Sequence, residues 1–84
     1  MKHLAWNFEV TDTFGGDANY SWVRRERFAP KRELTDRGVV RALKAFAGFT
    51  GYKARVYSHG DMFEVRPHGL CQVAFATWDD TPAE

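Results

Sequence analysis

The groups in this sequence that could do covalent or acid–base chemistry are few: the Cys71 thiol, the His59 and His68 imidazoles, and carboxylates at Asp61, Glu64, Asp79 and Asp80. A thiolate nucleophile needs a base within hydrogen-bond reach, and His59 or His68 could supply it. Cys71, however, stands in the apolar run Leu70–Trp78, where a free thiol packs as a small hydrophobe, so a structural role is expected. A zinc site needs about four ligands, and His59, His68 and Cys71 show no paired Cys-x-x-Cys spacing. Asp79 and Asp80 fall in a polar tail, and Asp61 and Glu64 flank a turn as solvated residues. Gly15-Gly16 lacks the Gly-Lys-Ser/Thr ending and following helix of a phosphate loop. No catalytic residue, metal or cofactor is expected, and function should lie in binding.

The cations point the same way. Net charge is only +1, but it is segregated along the chain. Residues 1–23 carry −2, residues 24–55 carry +7 and residues 56–84 carry −4. Of the ten cations in the basic middle, eight precede or lie on the helix: Arg24, Arg25 and Arg27, then Lys31 and Arg32, then Arg37, Arg41 and Lys44. The last three are spaced i, i+4, i+7 and project from one side of a helix. These eight groups are the candidate binding surface. A contiguous positive surface suits an acidic protein groove. It also suits phosphate backbones, which release counterions when neutralised. The competing reading is a solvated face balanced in space by the acidic segments. Arg24 and Arg25, as strand neighbours, must point to opposite faces, so only one can join the helix side.

The elements that would position these groups follow from periodicity. Leu4, Trp6, Phe8, Val10 and Phe14 fall at even positions with polar residues between, the mark of a half-buried strand. Gly15-Gly16-Asp17 permits a reversal, and Tyr20–Phe28 returns as a second strand after a four- to six-residue loop. Pro30 ends that strand. Thr35 is the expected N-cap of a helix over 36–48, with Asp36 in its first turn and Leu34 and Val39 as a hydrophobic staple. Val39, Leu43, Phe46 and Ala47 form its apolar stripe, and Gly48 or Gly51 stops it. Further strands are expected over Tyr52–Tyr57, Met62–Arg66 and Leu70–Trp78. The result is an α+β fold of order ββαβββ, one amphipathic helix on an antiparallel sheet of about five strands. One sheet face stays partly uncovered. A ring of Trp22, Tyr57, Phe75 or Trp78 lying on it would mark an interface, homodimeric in one version.

The run Asp12-Thr13-Phe14-Gly15-Gly16-Asp17-Ala18-Asn19-Tyr20-Ser21-Trp22-Val23-Arg24-Arg25 resembles a hairpin motif of small proteins encoded by bacteriophages, prophages and related mobile elements. Gly60-Asp61-Met62 and the strand around Cys71 resemble later parts of the same proteins more loosely. The resemblance implies a bacterial or phage cytoplasmic setting and a mobile-element role, with no activity to carry over. Physically, Asp12, Asp17 and Asn19 can accept or make hydrogen bonds within the loop, and Tyr20 and Trp22 share a strand face from which both could enter the core. The alternative is an exposed recognition loop with an aromatic anchor, contacted through Asp17 and Asn19.

Eighty-four residues suffice for one domain, residues 1–84, with a polar tail from about residue 79. Seven Phe, three Trp and three Tyr supply a core without staples. One cysteine allows no intrachain disulfide and fits a reducing cytoplasm. The alternating N-terminus is not the apolar run of a signal peptide, and no stretch approaches a membrane span. Three functions remain in play. The first is a non-enzymatic mobile-element protein that occludes a host complex, an anti-CRISPR-like inhibitor of bacterial defence being its most concrete form. The others are a small nucleic-acid-binding regulator and a homo-oligomeric phage structural protein. The chain itself could be a monomer or a homodimer.

Overall fold

The computed structural model describes residues Ala5–Asp79; Leu4 of the alternating run and the tail beyond Asp79 lie outside the described residues. Strands β1 (Ala5–Phe14) and β2 (Asp17–Phe28) are followed by helix α1 (Asp36–Ala47) and strands β3 (Ala54–Ser58), β4 (Met62–Pro67) and β5 (Gln72–Asp79). The order is the expected ββαβββ. All strand pairs are antiparallel, in the spatial order β2-β1-β5-β4-β3. Thus β1 and β5 meet at the centre, and β2 and β3 are the edges.

Strand alternation sends one set of side chains to the helix. Phe8 and Val10 of β1, Phe63 and Val65 of β4, and Ala74 and Ala76 of β5 form the core with Val39, Leu43, Ala47 and Phe49. Ladder pairs confirm the phase: Val56–Val65–Ala74–Val10–Arg24 is one cross-strand row, and Ser58–Phe63–Ala76–Phe8–Glu26 is the next. Burying a residue such as Leu43 or Val39 contributes about 1.5–3 kcal/mol each, which places most of the helix's stability in this stripe.

The helix ends follow from its caps. Thr35 Oγ1 accepts from Gly38 N–H at 3.1 Å, and Asp36 meets the positive end of the dipole. Gly38 permits this packing, since a Cβ there would stand 3.3 Å from Leu34 Cβ. At the other end Gly48 takes φ 80°. Its N–H donates to Ala45 C=O and that of Phe49 to Lys44 C=O, a Schellman closure that delivers Phe49 fully buried into the core.

Several boundaries differ from the sequence expectation, each for a physical reason. The first hairpin turns in two residues, because Gly15 and Gly16 both adopt positive φ (63° and 89°) and so match strand twist; β2 therefore begins at Asp17 rather than Tyr20. Pro67 ends β4 inside the strand, opposite Ala54. Cys71 precedes β5 and is exposed, so it is not a core hydrophobe; its carbonyl accepts from Thr13 N–H at 2.9 Å. Asp79 is the last residue of β5 rather than tail, with its carboxylate 3.0 Å from Arg27. No helix among the described residues is long and apolar enough to cross a membrane.

Candidate functional site

The helix packs over β5, β1 and β4 and leaves edge strand β3 to one side. A groove of about 590 Å³ runs between them. Its floor is apolar: Val40 of the helix, Val56 of β3 and Phe63 of β4. Val56 faces the helix side of the sheet yet is 47% exposed, because the helix is offset from it. Arg37, Arg41 and Lys44 form the rim, with Asp36 at the helix N-terminal end. Lys44 Nζ donates to Tyr52 C=O at 3.1 Å, tying the helix to the segment that leads into β3. Among the described residues, neither Arg37 nor Arg41 has a carboxylate within salt-bridge distance. Two like charges at i, i+4 repel by roughly 0.2–0.5 kcal/mol, so the pair is held against its own repulsion beside an apolar trough.

The other predicted cations are dispersed. Arg24 projects to the helix side but turns toward the far side of α1. There its guanidinium lies 4.9 Å over the Phe46 ring and donates to Phe46 C=O, satisfying a helix-terminal carbonyl. Arg25 and Arg27 lie on the opposite face, where Arg25 pairs with Glu9 at 2.9 Å and Arg27 with Asp79. Lys31 and Arg32 are exposed in the connection before the helix. Three of the eight basic groups therefore converge, and the contiguous positive surface does not form.

The uncovered face carries the row Tyr57–Glu64–Phe75–Glu9–Arg25. Glu64 is not a solvated turn residue: its side chain is largely buried between His59, at 3.2 Å, and Arg66. His59 also stacks on Tyr57 at 6.2 Å, and no hydrogen bond joins it or His68 to the Cys71 side chain among the described residues. Of the four rings named from the sequence, Tyr57 and Phe75 lie on this face, while Trp78 points to the helix side.

The hairpin motif proves to be a large bulge. Thr11 pairs with Val23 and Thr13 with Ala18, so Asp12 alone stands against Asn19–Trp22. The buried Thr11 hydroxyl accepts from Tyr20 N–H at 3.1 Å and donates to Trp22 C=O at 2.7 Å. Asp12 accepts from Asn19 Nδ2 at 2.9 Å and Ser21 N–H at 3.0 Å. Hydrogen bonding from the Ser21 side chain first, then from Asn19, with a smaller part from the Ser21 N–H, holds its carboxyl well below the usual carboxylate range. Tyr20 adopts φ 58°, and its phenol is pushed up by partial burial and then by nearby Glu9. Tyr20 and Trp22 do not enter the core; they are 47% and 44% exposed. Asp17 is exposed at the turn, and Asn19 spends its amide on Asp12. Arg66 Nη1 donates to Gly16 C=O at 2.6 Å, fastening the hairpin tip to the sheet.

Sequence reading named the groove's rim but missed its floor. Val40, Val56 and Phe63 carry no signal that sets them apart from other apolar residues in the sequence, and only the lateral offset of the helix exposes the space between them. Comparison with protein-family models, with curated proteins and with solved structures returned no match.

Proposed function

We propose that this chain is a non-enzymatic binding module that docks on an acidic stretch of a partner protein through the α1–β3 groove and acts by occlusion. The observation that carries this is the pairing of an apolar floor with Arg37 and Arg41, which have no salt-bridge partner among the described residues. An apolar trough with a basic rim accepts a polypeptide that is apolar in the middle and acidic at its edges. The charges would steer encounter and the floor would supply contact area. A duplex is a poorer fit, since it rewards many phosphate contacts on one surface, whereas Arg25 and Arg27 face away and are engaged by carboxylates. The likeness of residues 12–25 to phage and mobile-element hairpins supports a bacterial cytoplasmic setting. A host defence complex is then the target to try first, in the manner of an anti-CRISPR inhibitor.

The test is affinity capture from a bacterial host with wild type, Arg37→Glu/Arg41→Glu and Arg37→Lys/Arg41→Lys. A defence subunit retained by the wild type and the Lys pair, but lost with the Glu pair, is the expected result. Recovery unchanged by charge reversal would remove the groove from the mechanism. Micromolar duplex binding with a steep log–log salt slope would replace the protein partner with nucleic acid.

A further inference from the structure

The β3 edge adds a second recognition element to the same groove. Two backbone bonds fix its hydrogen-bonding phase: His68 N–H to Lys53 C=O at 2.7 Å, and His59 N–H to Met62 C=O at 2.8 Å. In an antiparallel ladder hydrogen-bonded pairs alternate, so Lys53, Arg55, Tyr57 and His59 direct their backbone groups to β4. Ala54, Val56 and Ser58 direct theirs outward. The position of Pro67 agrees, since it pairs with Ala54, where no N–H is required. As β3 is the last strand of the sheet, these outward groups border the groove mouth, and the Ala54, Val56 and Ser58 side chains share its face.

Exposed edges are usually blunted by charge, proline or bulges. The other edge, β2, has both a bulge and the run Arg24-Arg25-Glu26-Arg27. On β3 the groove-side positions carry only Ala54, Val56 and Ser58. Resting on the docking role just proposed, we infer that the partner segment binds in extended form as a sixth strand on β3, main chain to main chain with Ala54, Val56 and Ser58. Residues opposite each other across a ladder share a face. The bound residue opposite Val56 therefore drops onto Val40 and Phe63 and is apolar. Its neighbours two positions away on either side reach the Arg37/Arg41 and Lys44 ends of the rim and are acidic. The motif is acidic-x-apolar-x-acidic, read with strand period.

A displayed library of random dodecapeptides, panned on the full chain, tests this. Enrichment of acidic-x-apolar-x-acidic is expected, and an enriched peptide, synthesised, should bind more than tenfold more weakly to Val56→Pro. That substitution deletes an outward N–H and no bond to β4, and proline is tolerated on edge strands. Hydrogen exchange gives a readout without mutation: saturating peptide should slow the amides of Val56 and Ser58 and leave those of Arg55 and Tyr57, already paired with β4, unchanged. Peptides lost with Arg37→Glu/Arg41→Glu but bound by Val56→Pro, without protection of Val56 and Ser58, would overturn the strand mode and keep the groove. No enrichment, or binding indifferent to Arg37→Glu/Arg41→Glu, would overturn the groove itself.

Discussion

Thr11→Val isolates the device that shapes the hairpin. Thr11 is fully buried on the face without a helix, and its hydroxyl holds two main-chain groups of β2, Tyr20 N–H and Trp22 C=O. Valine keeps the shape and removes both bonds. Each such bond contributes about 0.5–1.5 kcal/mol net, so their loss costs about 1–3 kcal/mol. The added methyl in place of a hydroxyl returns at most about 0.8 kcal/mol. Lost hydrogen bonding should win, leaving the variant destabilised by about 1–2 kcal/mol. For a domain of this size that is a fall in Tm of about 5–15 °C. Urea unfolding should show a lower midpoint with an unchanged m-value. The local signature is sharper: native-state exchange of the Tyr20 amide should accelerate at least tenfold, whereas Thr11→Ser, which retains the hydroxyl, should leave its protection in place. A Thr11→Val protein as stable as the wild type, with Tyr20 still protected, would refute the claim that this hydroxyl organises the bulge.

Two further outcomes follow from local geometry. The Asp12 carboxyl is depressed by the hydrogen bonds it accepts from Ser21 and Asn19. Its stabilising effect is therefore present above the unfolded carboxylate pKa of about 3.9 and lost as pH falls below it; the Ser21 amide resonance should move in that acid range, and Asp12→Asn should abolish the movement. Gly48 sits at φ 80° with open space where a Cβ would go, so Gly48→Ala should cost about 1 kcal/mol in strain alone, read as a lower urea midpoint.

What the sequence made legible was local. Thr35, Asp36 and Gly48 announce the helix limits through groups within four residues of themselves, and the Val39-Leu43 stripe repeats at 3.6 residues. What it concealed depends on register. Asp12 and Thr11 look like ordinary members of an alternating strand until Thr11 is set against Val23 and Thr13 against Ala18; only then do Asn19–Trp22 become surplus and Tyr20 and Trp22 stay outside. Cys71 misled because an apolar neighbourhood in sequence does not say where the strand begins. The eight cations misled for a related reason. Their partners Glu9 and Asp79 come from distant strands, and periodicity carries no information about which chain end lies beside which.

That charge distribution bears on function. The acidic flanking segments could have neutralised the basic middle in space, and on one face they do in part: Glu9 meets Arg25 and Asp79 meets Arg27, while Glu64 meets Arg66 of its own segment. These acids all sit on strands whose side-chain parity points them away from the helix. Glu9, Glu64 and Asp79 could turn toward Arg37 or Arg41 only by reversing strand phase, which would also expel Phe8, Val10, Phe63 and Val65 from the core. The same alternation that builds the core therefore assigns Glu9, Glu64 and Asp79 to the uncovered face, while Glu26, in the helix-side row with Phe8, lies on edge strand β2 at the opposite side of the sheet from the groove. A binding surface here needs no additional device: it is what remains when one helix covers three strands of five.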